Sequence, residues 1–178
     1  MTSVRRPPST QAAVEEPLAF QGELLSVTAL LARSLAEPDQ VSADRSLRHD
    51  AASNAVFGRL LLAEGEELAE VWRLAVLQTL DDYSSALKRG GVELAQCVFH
   101  HEPALTGSAE IDAAFAGLAE YLADRDGWVA PEWTSAAATV ARWYPGVPRI
   151  FREDADRESP PAFRRRGIFI TDSSLARA

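Results

Sequence analysis

Several features that point to a particular chemistry are missing or nearly missing from this sequence. It holds one cysteine in 178 residues, so no disulfide can form within the chain. No apolar run approaches the roughly 18 residues typical of a membrane-spanning helix. No glycine-rich phosphate loop follows a predicted strand, and no motif pairs a nucleophile with a base. An enzyme therefore has no positive support, although catalytic groups distant in sequence would leave no such motif.

Basic residues are fewer than acidic ones, 18 against 26, and they are unevenly placed along the chain. The net charge is −8, and Lys88 is the sole lysine among 18 basic residues. The last 30 residues hold 7 arginines against 5 acidic residues, a net charge of +2, whereas the other 148 residues carry −10. This balance disfavours nucleic-acid binding by the whole chain and leaves its end as the one basic region. The excess of arginine and alanine is typical of a GC-rich bacterial genome.

The beginning of the chain predicts a flexible arm over residues 1–16. Pro7 and Pro8 lie among small polar residues, and this segment has few large apolar side chains that could pack against a core. Arg5 and Arg6 are not followed by an apolar segment, so we expect no secretory signal and a cytoplasmic protein. A single cysteine agrees with a reducing compartment, and we expect Cys97 to be a small buried side chain rather than a nucleophile.

Hydrophobic spacing of three and four residues predicts an all-α fold: a helical bundle with a long central helix and a short irregular C-terminal segment. We expect a helical region over residues 17–104 and a C-terminal helical region over 105–178, packed together as one unit. The predicted helices run from near Pro17 to Pro38, from about Asn54 to Lys88 with a break at Gly65, from Val92 to His100, from Ser108 to Gly127, and from Pro131 to about Tyr144. Between the first two, residues 39–54 are predicted to form a loop. The pieces 149–151 and 168–170 are strand-like but too short to found a sheet.

Metal-ligand residue types occur without a metal-binding spacing. His100, His101 and Glu102 are adjacent, and adjacent side chains diverge on a helix. We therefore predict surface or capping roles for them. The acidic clusters Glu66-Glu67-Glu70 and Asp81-Asp82 are predicted to be solvated helix faces. The sequence predicts no cofactor and no metal.

The C-terminal region concentrates aromatic and arginine residues, the types enriched where proteins bind one another. We predict that a partner protein contacts Trp143, Tyr144, Arg149, Arg152, Phe163, Arg164, Arg165 and Arg166. The competing interpretation is that the tryptophans fill the core and the arginines pair with nearby acids, since surface ion pairs reveal little.

Within that region, residues 160–170 combine two prolines, three arginines, a glycine and an apolar triplet. Pro160-Pro161 predicts the first turn of a short helix, and Gly167 predicts its end. Such a helix would fan the three arginines apart. We expect Phe163, Ile168 and Phe169 to dock on the core while the arginines hold an acidic surface of this protein or of a partner, and we call this segment the clasp.

A family resemblance covers residues 106–178. It is carried by Thr106-Gly107-Ser108, Ile111-Asp112-Ala113, Leu118 to Ala123, Gly127, Pro131-Glu132-Trp133, Trp143-Tyr144-Pro145, and Pro161 to Ile170. In these positions the chain resembles an uncharacterised actinobacterial family of antitoxin-like or helix-turn-helix regulator-associated proteins, some encoded beside nucleotidyltransferase-type toxins. The resemblance implies a bacterial cytoplasmic protein without catalytic residues that binds and neutralises such a toxin.

Two other classes of function compete with this hypothesis. A DNA-binding regulator would use the C-terminal arginines, but no compact helix pair with a basic recognition face is evident between Gln21 and Leu62. A small helical metal protein or enzyme would use His100 and His101. The sequence leaves oligomeric state open.

Overall fold

The computed structural model describes residues 26–36, 47, 49–137 and 139–176. Across these residues the chain is helical, which confirms the all-α prediction. The helices are α1 (Val27–Ala36), α2 (Ala51–Glu64), α3 (Leu68–Val71), α4 (Leu77–Ala95), α5 (Ala109–Asp126), α6 (Glu132–Ala136), α7 (Arg152–Glu158) and α8 (Pro161–Arg164). None of the helices in the described part of the chain is long and apolar enough to cross a membrane.

The chain divides into two compact units, residues 1–40 and residues 41–178. In the first unit, α1 begins after Ser26, whose Oγ accepts a hydrogen bond from the Ala29 backbone N–H at 3.1 Å. This confirms the second half of the first predicted helix. The arm predicted over residues 1–16 and the start of that helix near Pro17 lie outside the described residues.

In the second unit, α2 begins at Ala51, three residues before the helix start predicted at about Asn54. The end of the predicted loop over residues 39–54 is therefore wrong. Asp50 is the reason, because its carboxylate accepts from the Ser53 backbone N–H at 2.8 Å while Ser53 Oγ accepts from the Asp50 N–H at 2.9 Å. This reciprocal cap satisfies two otherwise unpaired donors at the helix start. Gly65 ends α2 in a left-handed conformation, as predicted.

A long central helix follows, as predicted, but it is not a uniform α-helix. α3 continues through a π-helical turn at Trp72–Val76 into α4, and the chain bends at Gly90 and Gly91, where Gly91 has φ of 69°. A 3-10 turn at Gln96–Phe99 completes it. The bend separates the two helices predicted to end at Lys88 and to begin at Val92, whereas nothing in the sequence predicts the π-helical turn.

Helix α5 is the centre of the second unit. Ser108 caps it, accepting from the Ile111 backbone N–H at 3.3 Å, and Gly127 ends it with φ of 75°, both as predicted. Its apolar side chains are buried around most of its circumference, so neighbouring elements cover it on several sides. The core draws on α2, the central helix, α5 and the clasp.

The predicted helix from Pro131 to about Tyr144 is wrong in its length, since α6 ends at Ala136. The backbone N–H groups of Val140 and Trp143 donate to Arg166 O at 3.0 Å and Gly167 O at 2.9 Å. The following residues therefore pair with the clasp instead of continuing a helical ladder. Thr134 lies inside α6, where its Oγ1 donates to Pro131 O at 2.8 Å.

The two strand-like pieces do not form strands among the described residues. Arg149–Phe151 is a 3-10 turn that leads into α7. In the other piece, Ile168 makes one isolated parallel bridge with Trp143. Both pieces were too short for a ladder, so local turn bonds and a single tertiary contact decide their conformation.

Candidate interaction surface

The clasp docks through its apolar residues. α8 begins at Pro161, and Phe163 and Ile168 behind it are completely buried. The Phe163 ring meets the Trp72 ring edge-on at 5.9 Å, and it lies so close to Gly117 that a Cβ there would be 3.0 Å from it. The predicted docking of Phe163 and Ile168 is therefore confirmed, whereas Phe169 is half-buried.

Arg166 is a buried structural residue. It is 6% exposed, and its guanidinium forms an ion pair with Glu120 on α5 while donating to Thr134 O at 2.6 Å. A further N–H donates to Ala137 O at 3.0 Å. Its Nε has no acceptor among the described residues. Arg166 thus connects α5, the end of α6 and the clasp. Its positive charge is balanced by Glu120 within the chain.

The other two arginines of the clasp point to different acceptors. Arg165 pairs with the second carboxylate oxygen of Glu120 at 3.2 Å and is itself exposed. Arg164 donates to the backbone carbonyls of Arg157 at 2.8 Å and Ser159 at 3.1 Å. The three side chains therefore do not line one flat basic face.

The three C-terminal tryptophans have internal partners and are half-buried. Trp128 Nε1 donates to Tyr83 Oη at 2.9 Å, and Trp133 Nε1 donates to Phe99 O at 3.2 Å. Trp143 packs against Trp72 with ring centroids 6.0 Å apart. These contacts agree with the competing interpretation, in which the tryptophans fill the core instead of contacting a partner.

A polar network lies beneath Trp128. The buried Tyr83 hydroxyl donates to Asp126 Oδ2 at 2.7 Å, and Arg125 makes two hydrogen bonds with the same carboxylate, at 2.8 and 2.7 Å. The hydrogen bonds from Arg125 lower the pKa of Asp126, and the Tyr83 bond adds to this effect. Burial, together with the nearby Asp126 carboxylate, raises the pKa of Tyr83, so its hydroxyl stays protonated and donates.

Tyr144 and Arg152 are held in a stack of aromatic rings and guanidinium groups. Arg142 lies 4.6 Å from the Phe169 ring centroid, the Phe169 and Tyr144 rings are 5.5 Å apart, and Arg152 lies 4.7 Å from the Tyr144 ring. The Tyr144 hydroxyl donates to Asp156 Oδ1 at 2.8 Å. Cation–π contacts and this hydrogen bond fix the orientation of both side chains.

Beside this stack, residues Arg149 to Arg152 form a protruding turn that we call the ridge. Ile150 is 80% exposed and Phe151 is 49% exposed, while both flanking arginines are exposed as well. The Phe151 backbone N–H donates to Pro148 O at 3.0 Å, which fixes the turn. Of the predicted partner-contacting residues, Arg149 and Arg152 thus lie together on an exposed apolar projection.

A cleft of about 420 Å³ borders the ridge. One part of its wall is apolar, another carries two carboxylates, and a third carries hydroxyl groups. The lining residues are Gly146, Val147, Pro148, Phe151, Asp154, Glu158, Thr171, Ser173 and Ser174. No basic side chain is among them.

Sequence reasoning missed Ile150 and Phe151 as surface residues and missed the cleft. The sequence predicts a strand-like piece over residues 149–151, but the two arginines that directly flank Ile150 and Phe151 are a signal for a surface position. The cleft unites residues 146–158 with residues 171–174, a proximity that no local pattern encodes.

The histidine cluster lies on the surface. His100, His101 and Glu102 are exposed, and His101 Nδ1 lies 3.2 Å from Asp50 Oδ2, at the cap of α2. Over the described ranges, no group of three or more His, Cys, Asp or Glu side chains is placed to hold a metal ion.

The prediction of a buried Cys97 is wrong, because this side chain is exposed. It lies on the 3-10 turn Gln96–Phe99, whose buried positions are taken by Val98 and Phe99. Its Sγ donates to Glu93 O at 3.3 Å.

The fold and this surface define an all-α helical protein with an exposed, partly apolar projection beside a cleft that has apolar, acidic and hydroxyl-bearing walls. Comparison with protein-family models, curated proteins and solved structures found no match to this chain.

Proposed function

We propose that this chain is a non-enzymatic bacterial interaction protein of the antitoxin-like kind, which works in the cytoplasm and binds another protein through the ridge. The observation that carries the proposal is the exposure of Ile150 and Phe151 between two exposed arginines. Apolar side chains in water gain free energy when a partner covers them. Aromatic and arginine residues are enriched at the centres of protein interfaces.

The rigidity of the ridge adds support. Arg152 is held against the Tyr144 ring, and the turn is closed by the backbone bond from Phe151 to Pro148. A surface that is already ordered loses little conformational entropy on binding, which favours affinity. A protein partner is favoured over DNA because Arg166 is buried in its ion pair with Glu120, and Arg164 and Arg165 also have acceptors within the chain.

Co-expression with the product of the neighbouring gene, followed by size-exclusion chromatography at micromolar concentration, tests the proposal. The two proteins should elute together. Ile150→Ser should weaken the complex about thirtyfold, as expected for a residue at the centre of an interface. Val129→Ser is the matched control, since Val129 is 90% exposed and lies outside the ridge.

Separate elution of the two wild-type proteins would contradict the proposal. So would equal losses of affinity for Ile150→Ser and Val129→Ser, because the ridge would then have no special part. Circular dichroism of each variant checks that folding is unchanged, which is expected for side chains so exposed.

A further inference from the structure

We infer that the cleft beside the ridge receives a basic side chain of the partner, so that the partner presents a segment combining arginine or lysine with apolar residues. This inference rests on the proposed function and specifies the chemistry of the partner. It is carried by the arrangement of apolar, acidic and hydroxyl groups within one cleft of about 420 Å³.

The walls of the cleft match the two parts of a basic side chain. Val147 is almost fully buried and Phe151 is half exposed, so together they offer an apolar surface to an aliphatic stem. Asp154 and Glu158 lie one helical turn apart on α7 and offer carboxylate oxygens to the charged head. An arginine head also stacks on an aromatic face, which Phe151 provides.

The two carboxylates are only partly committed to contacts within the chain. Asp154 pairs with Arg157, whose side chain is 74% exposed, and Glu158 Oε2 accepts from the Asp172 backbone N–H at 3.2 Å. A carboxylate accepts several hydrogen bonds, so acceptor capacity is left on both groups.

Charge complementarity selects this occupant over an acidic one. The lining contains two acidic and no basic side chains, and the exposed arginines Arg149 and Arg152 of the ridge lie outside it. An acidic segment would meet repulsion from these two carboxylates inside the cleft, whereas a basic side chain is attracted to them on contact. The neighbouring Ile150 covers the apolar part of the same segment.

Two short fluorescein-labelled peptides probe this chemistry, one alternating leucine with arginine and the other alternating leucine with glutamate. Fluorescence anisotropy at physiological ionic strength should show binding of the arginine peptide only. The double variant Asp154→Asn/Glu158→Gln should bind it about five- to tenfold more weakly, as expected for the loss of two partly exposed ion pairs. Ile150→Ser should weaken it further.

Glu66→Gln/Glu67→Gln is the matched control, because it removes the same charge from two exposed residues outside the cleft. An equal loss in both double variants would overturn the inference, since general electrostatics would then explain binding. Binding of the glutamate peptide would overturn it in favour of contacts with Arg149 and Arg152. An Ile150-dependent dimer in analytical ultracentrifugation would assign the cleft to a second copy of the chain instead.

The failures of the two proposals are distinguishable with the co-expressed partner. If Ile150→Ser disrupts the complex while Asp154→Asn/Glu158→Gln leaves it intact, the interaction function stands and the basic occupant is refuted. If both peptides fail to bind and the partner elutes separately, both proposals fall.

Discussion

Gly167→Ala is expected to destabilise the second unit strongly, because at this position the clasp passes very close to residues 140–143. Gly167 has φ of 79°, and a Cβ added to it would lie 2.2 Å from the Val140 carbonyl oxygen. That separation is about 1 Å shorter than a carbon and an oxygen tolerate. The obstacle is backbone, so no side-chain rotation relieves it.

The magnitude follows from two contributions. A left-handed conformation costs a non-glycine residue about 1–2 kcal/mol. Moving Val140 away also breaks or weakens the bonds from the Val140 and Trp143 N–H groups to Arg166 O and Gly167 O. At about 1 kcal/mol for each bond, the total loss is about 3–4 kcal/mol. For a chain of this size, that lowers Tm by about 6–16 °C.

Differential scanning calorimetry and urea denaturation measure this loss, with Gly146→Ala as the matched control. Gly146 also has a positive φ, 65°, but a Cβ there would meet nothing within 4 Å. The control should therefore lose only the conformational part, about 1–2 kcal/mol. If Gly167→Ala is no less stable than Gly146→Ala, the close approach of the clasp to Val140 does not exist and the reasoning fails.

Three further predictions concern buried polar groups. Glu120→Ala should lower the free energy of unfolding in urea by about 3 kcal/mol or more, because Arg166 is left buried without a counter-charge, and adding Arg166→Leu should recover part of the loss. If the double variant is no more stable than Glu120→Ala alone, the ion pair between Arg166 and Glu120 is refuted. Tyr83→Phe should cost about 1–3 kcal/mol in the same assay, since Trp128 loses its acceptor and Asp126 a donor; an unchanged midpoint would contradict this. The lowered pKa of Asp126 means that its stabilising contribution is present above its unfolded pKa of about 3.9 and is lost as pH falls through the folded value. Wild-type protein should therefore lose more stability than Asp126→Asn on acidification below about pH 4, and parallel pH profiles would refute the network.

The parts of the fold that the sequence predicts correctly are those decided by local chemistry. Ser108 caps α5, and Gly65 and Gly127 end helices in left-handed conformations. Each of these depends on residues within one turn of the position concerned, so a short stretch of sequence contains the whole cause. The clasp helix at Pro161 belongs to the same class.

The parts that the sequence predicts wrongly are decided by tertiary contacts. Ala and Thr residues after Ala136 are compatible with a helix, but hydrogen bonds from Val140 and Trp143 to the clasp win over local propensity. Cys97 is exposed because its neighbours Val98 and Phe99 take the buried side of their turn.

Tertiary contacts also decide which arginines of the candidate surface are exposed. Arg149 and Arg166 are identical side chains in the same basic region, yet one is exposed and the other is buried against Glu120. Their difference arises from α5, which lies far away in sequence. Composition could therefore indicate an arginine-rich region, but it could not separate the arginines that are buried in ion pairs from those that are exposed to solvent.

Arg166 and Gly167 hold the clasp, and the Phe169 N–H bond to Trp143 O at 2.8 Å ties the clasp to the residues that carry Tyr144, on which Arg152 rests. Changes in the clasp should therefore weaken both folding and partner binding. Ile150 contributes almost nothing to folding because it is 80% exposed, so Ile150→Ser should change stability by less than about 0.5 kcal/mol. A variant that loses the partner while keeping its Tm would thus locate the binding energy on the ridge, whereas a fall in Tm for Ile150→Ser would show that the ridge is part of the fold.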